Sequence, residues 1–402
     1  MSGGAGLVHG LAGDLVAPDW PALTDEEARW VAERWALPWA GGNRAGEVRV
    51  RWRSPRPLSA AGLIGLRGDP EARDAPGARD AEVFVKRHDL RVRDPGSLAL
   101  EHRFARHLRA AGIEAPEVLV TADGHTTATR EPAPGAPAAV YEVHAVAPGA
   151  DLYRDAESWT GFQTREHARA AGELLARVHL AAGGFDAPAR PFGPNLDSDE
   201  IVTAADPQAA LATLVDARPG LAAGLAAHPW QEETAAALGP LLRDASRRAV
   251  RLERVWTHGD WHPSNLTWSP AGTPVAVLDL GLANRTTPVR DVAIAIERSC
   301  VSWLDAAPLA DLDAVAALLD GYTRARPLTG AERAALPALT ATAHVEFALS
   351  EIEYYAGVLG SPERAEVAYR EYLIGHGRWF TTDPGRRLLD ALTACRAAGS
   401  TR

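Results

Sequence analysis

Residues 255–270 read VWTHGDWHPSNLTWSP and place reactive polar side chains between apolar, strand-forming ends. Val255 and Trp256 are typical of the end of a buried strand. The segments NLTW and VAVLDL are typical of two hairpin strands around the turn SPAGTP. The polar residues between these strands are therefore predicted to lie in one loop at the strand ends, where active-site residues are commonly found.

The polar residues of this loop follow the spacing His258-x-Asp260-x-x-x-x-Asn265, and Asp279 ends the second hairpin strand. An Asn and an Asp on adjacent strands bring together hard oxygen ligands, which suit Mg²⁺ carrying a substrate phosphate. Asp260, at the apex of the loop, is placed to accept a proton from an attacking hydroxyl. A metallohydrolase site of His258, Asp260 and His262 is an alternative, because alternate residues on an extended strand share a face.

Lys86 is the only lysine among the 42 basic residues. A bias toward arginine explains why lysine is scarce, but not why this one remains. The presence of lysine at this one position favours a site that needs a compact ammonium group and has no room for a guanidinium fork. A helix packed on the sheet would aim Glu101 at Lys86; the alternative is an exposed glutamate near a helix start, stabilised by the helix dipole.

The composition argues against two classes of partner. The chain has 402 residues, a formal net charge of −10 and a pI near 5.7. A general nucleic-acid binder needs a basic face that neutralises phosphates, so no nucleic acid is expected as a partner. No segment approaches the roughly 20 uninterrupted apolar residues of a membrane helix, so no membrane partner is expected.

Cys300 and Cys395 are the only cysteines, and neither lies in a close Cys or His pair. A disulfide scaffold is therefore not expected, and a reducing, cytoplasmic location is the simpler interpretation. The N-terminus lacks the basic start and sustained apolar run of a signal peptide.

Hydrophobic periodicity predicts three regions. Thr24 and Glu27 form a capping-box pattern, which predicts a helix in an N-terminal extension, residues 1–40. A sheet-rich lobe is predicted at residues 41–145, and a larger, mostly helical lobe at residues 146–402. The strands predicted in the sheet-rich lobe are 47–52, 58–66, 81–88, 117–121 and 139–146, with a helix at 97–112 and a loop at 67–80.

Taken together, these residues resemble a known family. The ordered set Lys86, Glu101, His258, Asp260, Asn265 and Asp279 is similar to that of the aminoglycoside phosphotransferase and choline kinase family. HGDWHPSN matches the family's catalytic loop, and VLDLG stands where its metal-binding Asp follows. The resemblance implies an α+β, bilobal, protein-kinase-like fold with a small antiparallel-sheet N-lobe and a larger, mostly helical C-lobe. It covers roughly residues 45–300.

The resemblance also implies roles for individual residues, with ATP and Mg²⁺ as cofactors. Lys86 would contact the ATP phosphates, steadied by Glu101, and Asp260 would be the catalytic base. Asn265 and Asp279 would bind Mg²⁺. The remaining assignments are His258 and Asp291 as structural supports of the loop, and the backbone of Val143, His144 and Ala145 as the contact for adenine.

The sequence departs from the family pattern in two places. No GxGxxG loop precedes the Lys86 strand, so residues 53–62 are the segment expected to cover the phosphates. Leu280 and Gly281 follow the metal-binding Asp, where many members carry a Phe-Asp pair.

A small-molecule hydroxyl acceptor is favoured over a protein acceptor, because the loop at residues 281–293 is too short for a peptide platform. Trp261 and His262 follow Asp260 and are predicted acceptor contacts. Glu346 and Glu353 share one helical side and would clamp an amine; a solvated face is the alternative. Amino sugars, aminoglycosides, other antibiotics, amino alcohols and nucleosides remain open as acceptors. A catalytically inactive kinase-like binding protein also remains open, and the chain is expected to be a monomer or homodimer.

Overall fold

The computed structural model describes residues 8–9, 15–16, 18–40, 46–54, 58, 60–66, 82–130, 138–154, 156 and 158–398. The predicted loop at 67–80 lies outside the described residues, as do 55–57 and 59 of the segment expected to cover the phosphates. The chain divides into two compact units, residues 1–110 with 114–148, and residues 111–113 with 149–402.

The N-terminal unit is built around an antiparallel sheet with the strand order β3-β4-β5-β7-β6. Its described strands are β1 Val8–His9, β2 Leu15–Val16, β3 Val48–Arg53, β4 Ala60–Leu66, β5 Glu82–Asp89, β6 Thr127–Arg130 and β7 Ala139–Ala145. Its described helices are α1 Asp25–Arg34 and α2 Pro95–Ala110, with a 3-10 turn at Pro38–Ala40.

Helix α1 packs on this sheet. The predicted capping box is confirmed, since Thr24 accepts from the Glu27 backbone while the Glu27 carboxylate accepts from the Thr24 backbone. Val31, which is 1% exposed, joins one hydrophobic core with Val48 and Val143 of the sheet. Burial of each such side chain stabilises the fold by about 1.5–3 kcal/mol. Residues 18–40 are thus part of the N-terminal unit and contribute to its core.

Two strand predictions for this unit were wrong. Residues 117–121 form no strand, and only Val118 makes an isolated bridge, to His144. Strand β6, Thr127–Arg130, was missed because its sequence TATR has no apolar alternation, and pairing with β7 rather than local pattern makes it a strand.

The C-terminal unit is mostly helical. Its helices are α3 Arg165–Ala181, α4 Glu200–Thr203, α5 Pro207–Ala217, α6 Pro219–Leu225, α7 Trp230–Ala237, α8 Gly239–Ala249, α9 Pro288–Ser299, α10 Leu312–Ala325, α11 Gly330–Thr342, α12 Val345–Glu353, α13 Pro362–Val367, α14 Gly377–Trp379 and α15 Asp383–Ala398. Its strands are β8 Val255–Thr257, β9 Leu266–Trp268, β10 Pro274–Val277 and β11 Asn284–Thr286. Short 3-10 turns lie at Pro263–Asn265 and Leu280–Leu282, and π-helical segments at Tyr354–Val358 and Ala368–His376.

Two antiparallel strand pairs position the loop that the sequence singles out. The predicted hairpin is confirmed, because β9 pairs with β10 and Val277 lies opposite Leu266. Strand β8 pairs with β11 through Thr257 and Asn284. The loop between β8 and β9 is therefore fixed at both ends. Within the described residues, no helix combines the length and apolar character needed to cross a membrane.

Candidate active site

Asp291, near the start of helix α9, anchors the loop after β8. Its two carboxylate oxygens accept hydrogen bonds from the backbone N–H groups of His258 and Gly259, each at 2.7 Å. His179 of α3 donates from Nε2 to the same carboxylate at 3.0 Å. Complete burial raises the pKa of Asp291, but the hydrogen bond from His179 and the nearby imidazoles outweigh it and lower the pKa overall. Asp291 is therefore an ionised, buried support for the loop.

His258 is locked by both of its ring nitrogens. Nε2 lies 2.8 Å from the carbonyl oxygen of Leu278 and must donate to it, so Nδ1 accepts from the backbone N–H of Asp260 at 3.1 Å. Burial lowers the pKa of His258, which keeps the ring neutral. Neither nitrogen remains for a metal ion, so the alternative site of His258, Asp260 and His262 does not form.

Asp260 lies at the centre of the loop with a partly accessible carboxylate. Asn265 donates from Nδ2 to the Asp260 backbone oxygen at 2.9 Å and to Oδ2 at 3.0 Å. The guanidinium of Arg298 forms an ion pair with Oδ1. The side chain keeps 19% of its surface exposed. The carboxylate is thus held in one orientation while a substrate hydroxyl can still reach it.

Gly259 sets the turn that carries Asp260. Its φ is +79°, and a Cβ at this position would lie 2.3 Å from the carbonyl oxygen of Leu282. Both the backbone conformation and the available space require glycine here.

Asn265 and Asp279 lie at adjacent strand ends, as predicted. The Leu278 backbone N–H donates to the Asn265 carbonyl at 2.8 Å, which brings the following residue, Asp279, next to Asn265 in the pairing. Asp279 is exposed and has a φ of +52°, an uncommon conformation for a residue other than glycine. Such strain is frequent at functional sites. Since Asn265 uses its amide nitrogen on Asp260, its amide oxygen is the atom it offers to a metal ion.

The two residues that follow Asp260, predicted to contact the acceptor, are both buried. Trp261 is fully buried, with its ring edge-on to His258 at 5.3 Å between centroids. It supports the loop from inside rather than presenting an open surface. His262 is 5% exposed; Nδ1 lies 2.9 Å from Ser264 Oγ and Nε2 lies 3.5 Å from Asp260 Oδ2. Of the two, His262 is the one that lies beside the Asp260 carboxylate.

Arg298 was missed by the sequence reasoning. It projects from helix α9, is 5% exposed and pairs with Asp260. Its guanidinium also lies over the ring of Phe347 at 4.6 Å and faces Trp159 at 5.4 Å. Such contacts favour a desolvated cation. The available signal was a pair of charged residues, Glu297 and Arg298, within the apolar run VAIAIERS.

In the N-terminal unit, Lys86 lies on β5 between Ala61 of β4 and Glu142 of β7. Glu101 lies in α2 and is 4% exposed, so it is not the exposed glutamate of the alternative interpretation. The predicted strand and helix that carry the two residues are both confirmed.

One backbone group of Val143 and one of Ala145 are paired with the segment 117–119. The Val143 carbonyl accepts from the Leu119 N–H at 2.9 Å, and the Ala145 N–H donates to the Glu117 carbonyl at 2.9 Å. His144 lies opposite Phe84 of β5. These two groups are therefore occupied within the N-terminal unit, and contact between residues 143–145 and adenine stays a prediction.

Glu142 is a second residue that the sequence reasoning missed. Its carboxylate is fully buried and lies within hydrogen-bond distance of three imidazoles: His88 at 2.8 Å, His102 at 2.6 Å and His144 at 3.0 Å. Burial alone would raise the pKa of Glu142, yet the surrounding imidazoles lower it well below its usual range. Glu142 therefore organises the middle of the sheet, directly opposite Lys86.

Glu346 and Glu353 do share one side of helix α12, but both are engaged within the chain. Glu346 is 1% exposed and accepts from the backbone N–H groups of Ile201 at 2.9 Å and Val202 at 3.1 Å. Glu353 is paired with Arg218 at 2.7 Å. This corrects the expectation of an acidic stripe that clamps an amine, because the carboxylates cap α4 and pair with arginine instead.

A sequence model of the phosphotransferase enzyme family matches residues 73–328, which is more than half of the chain. Homoserine kinase of Methylobacillus flagellatus is 28% identical over 227 residues, covering 52% of this chain and 59% of that protein. Homoserine kinase of Gluconacetobacter diazotrophicus is 30% identical over 242 residues, covering 60% and 65%. The chain thus spans about six tenths of the length of these relatives.

Solved structures share the architecture. A microcompartment-associated aminopropanol kinase covers 89% of this chain and 99% of its own, with a TM-score of 0.54 and 16% identity. An amicoumacin kinase in complex with AMP-PNP, Ca²⁺ and Ami covers 87% and 96%, with a TM-score of 0.53 and 14% identity. These matches confirm the α+β, bilobal, protein-kinase-like fold class.

Proposed function

The chain belongs to the phosphotransferase enzyme family, and on this premise we propose that it is an ATP-dependent O-phosphotransferase for a small, amino-bearing hydroxyl compound. The observation that carries the proposal is the loop at Asp260. The buried Asp291 holds its backbone, Asn265 and Arg298 fix the carboxylate, and part of that carboxylate stays accessible.

The chemistry expected of this loop is positioning. Phosphoryl transfer needs an acceptor hydroxyl held in line with the γ-phosphate and a carboxylate that orients it and takes its proton. Asp260 would accept that proton at its exposed edge. Because Asn265 and Arg298 already restrain both carboxylate oxygens, little reorganisation is needed when the acceptor binds.

Asn265 and Asp279 fit a magnesium ion. Both offer hard oxygen ligands from adjacent strand ends, and the Asp279 carboxylate is exposed. When bound, Mg²⁺ supplies neutralisation of the phosphate charge that develops during transfer. Lys86, steadied by Glu101, is the proposed contact for the ATP phosphates. The presence of AMP-PNP and Ca²⁺ in the amicoumacin kinase structure supports a nucleotide with a divalent cation.

The relatives support an amino-bearing acceptor class. The names of two of them refer to homoserine and aminopropanol, which each carry an amine and a hydroxyl group. We therefore favour an amino alcohol, with amino sugars and aminoglycosides as further members of the class. A metallohydrolase is disfavoured because His258 has no free ring nitrogen.

The test is a screen for ADP release over hydroxyl compounds with and without an amine. Mass spectrometry of the product then shows whether the hydroxyl has gained a phosphate. Asp260→Asn keeps the size and hydrogen bonding of the side chain, so it should still bind nucleotide while transfer falls by on the order of 10² or more. Asp244→Asn is a matched control, because Asp244 pairs with Arg248 on the surface of α8.

Two outcomes would contradict the proposal. Transfer by Asp260→Asn within a few-fold of the wild-type rate would show that another residue carries the chemistry. Nucleotide binding without turnover across the amine-bearing panel would instead favour an inactive kinase-like binding protein.

A further inference from the structure

A separate cluster of metal-ligand side chains lies in the C-terminal unit, apart from Asn265 and Asp279. Glu297, His344 and His376 each offer one ligand atom, and these atoms all lie within 4.8 Å of one another. The residues come from three elements: helix α9, the residue before α12, and the end of the π-helical segment Ala368–His376. Only tertiary packing brings them together.

The cluster is buried and incompletely satisfied. Glu297 is 1% exposed and His344 is fully buried. Glu297 Oε2 and His344 Nδ1 have no hydrogen-bond partner among the described residues. Leaving a buried polar atom unpaired costs roughly 1–3 kcal/mol, so a ligand that paired with both atoms would stabilise the cluster.

The ring nitrogens are arranged for coordination. Nε2 of His344 lies 3.2 Å from the carbonyl oxygen of Leu373. A carbonyl only accepts, so Nε2 carries the proton and Nδ1 keeps its lone pair. Metal-binding histidines usually donate their second nitrogen to a backbone carbonyl in this way. His376 is oriented by stacking on Trp303, with 3.5 Å between ring centroids, and its Nδ1 lies 2.9 Å from Glu297 Oε1.

The histidine cluster of the N-terminal unit shows the contrast. There, both oxygens of Glu142 are occupied, Oε1 by His88 and Oε2 by His102 and His144. Glu297 has only the contact with His376, and one oxygen remains unpaired within the described chain. His102 Nδ1 and His144 Nδ1 of the Glu142 cluster also have no partner among the described residues, so the two clusters differ in their carboxylates. Imidazoles occupy both oxygens of Glu142, whereas Glu297 keeps one oxygen that could bind a cation.

We propose that Glu297, His344 and His376 bind one divalent transition-metal ion of the zinc class. Two imidazoles and one carboxylate, with water as the fourth ligand, form a common zinc coordination set. Tetrahedral zinc with bonds of about 2.0–2.1 Å places its ligand atoms roughly 3.4 Å apart, so side-chain shifts of about 1 Å close the site. His376, whose side chain is 14% accessible, is the entry side.

The ion would join three elements of the C-terminal unit. Glu297 precedes Arg298, whose guanidinium pairs with Asp260. A metal bond at Glu297 would therefore fix the part of α9 that holds the loop carboxylate. The proposal assigns the ion no reaction, and it does not depend on the proposed phosphotransferase activity.

The experiment uses the full chain without an affinity tag, stripped with a chelator and then titrated with Zn²⁺ in the absence of nucleotide. We expect one equivalent of zinc per chain by elemental analysis, and a higher melting temperature for the zinc-loaded protein. X-ray absorption at the zinc edge should show two imidazole ligands. Cobalt substitution should give the visible absorption of a four-coordinate site.

Two variants and one control separate this site from others. Glu297→Gln removes the anion, and His376→Phe keeps the stack on Trp303 but removes the nitrogens. Each should lower zinc affinity at least tenfold. Asp279→Asn should still bind one equivalent of zinc per chain. The proposal would be overturned if the wild-type protein bound no zinc, or if X-ray absorption showed no histidine ligands. Equal zinc affinity in Glu297→Gln and the wild type would also overturn it. The cluster would then be a hydrogen bond between a neutral carboxylic acid and an imidazole.

Discussion

Arg298 of helix α9 forms an ion pair with the carboxylate of Asp260 in the loop after β8. The guanidinium is enclosed by Phe347 and Trp159, so it reaches Asp260 from inside the C-terminal unit. This relationship makes the orientation of the proposed catalytic carboxylate depend on a helix that is distant in sequence.

Arg298→Lys should therefore reduce turnover more than it changes acceptor binding. Lysine keeps the charge but lacks the planar fork and the stacking on aromatic rings. A misplaced catalytic group costs on the order of 10- to 100-fold, so we expect kcat to fall in that range while KM changes little. Steady-state kinetics with an identified acceptor measure both. Arg326→Lys is the matched control, since Arg326 pairs with Glu332 in the same way. A KM effect without a kcat effect would assign Arg298 to acceptor binding.

Nucleotide binding should depend on a divalent metal through Asn265 and Asp279. Both place oxygen ligands at adjacent strand ends. In the wild type, calorimetry should show tighter ATP binding with Mg²⁺ than without it. In the double alanine variant this difference should disappear. Asp244→Asn should behave as the wild type, and a Mg²⁺ effect that survives in the double variant would place the metal elsewhere.

Gly259→Ala should damage the loop by two separable effects. A positive φ costs an L-residue roughly 1–2 kcal/mol, and the new Cβ would also meet the Leu282 carbonyl oxygen at 2.3 Å. Gly112→Ala is the control for the first effect alone, because Gly112 has a φ of +83° with nothing within 4 Å of the added Cβ. Thermal unfolding should show a larger loss for Gly259→Ala, with loss of transfer activity. Equal losses of thermal stability in both variants would mean that the loop shifts to relieve the contact between the new Cβ and the Leu282 carbonyl.

Asp291→Asn should destabilise the protein at neutral pH. The amide offers one acceptor oxygen where the carboxylate serves His258, Gly259 and His179, and each donor left unpaired costs roughly 1–3 kcal/mol. The native pKa of Asp291 lies below its ordinary 3.8, so its ionised form stabilises the fold above about pH 4. That contribution is lost as the pH falls through the native pKa. The difference in unfolding free energy between wild type and variant should therefore shrink in acid. A difference that stays constant down to pH 2 would refute this.

Lys86→Arg should cut turnover severely and leave the fold intact. A forked guanidinium cannot replace a compact ammonium at the phosphates. Since Lys86 is the only lysine, an amine-reactive reagent modifies this side chain and the N-terminal amine alone, so protection by ATP is a direct readout. Circular dichroism serves as the folding control. Near-normal ATP affinity and rate in the variant would contradict the proposed role.

The sequence by itself determined the local features of this protein. Alternating apolar residues specify strands β3 and β5, and the capping box at Thr24 specifies α1. The spacing of His258, Asp260 and Asn265 places all three in one loop. The turn SPAGTP brings Asp279 next to Asn265, because a short hairpin has only one register that buries its apolar face. These features are readable because they depend on neighbours in the chain.

Only the tertiary structure decided which polar groups meet. Arg298 pairs with Asp260, and Glu142 lies within hydrogen-bond distance of three histidines. Glu346 caps α4 and does not face an acceptor. The Val143 carbonyl and the Ala145 N–H, part of the backbone expected to face adenine, pair with Leu119 and Glu117. A buried charge is stable only when it is paired, and its partner has no fixed spacing in the sequence. For this reason a polar residue within an apolar segment marks an interaction, whereas its partner is known only once the chain has folded.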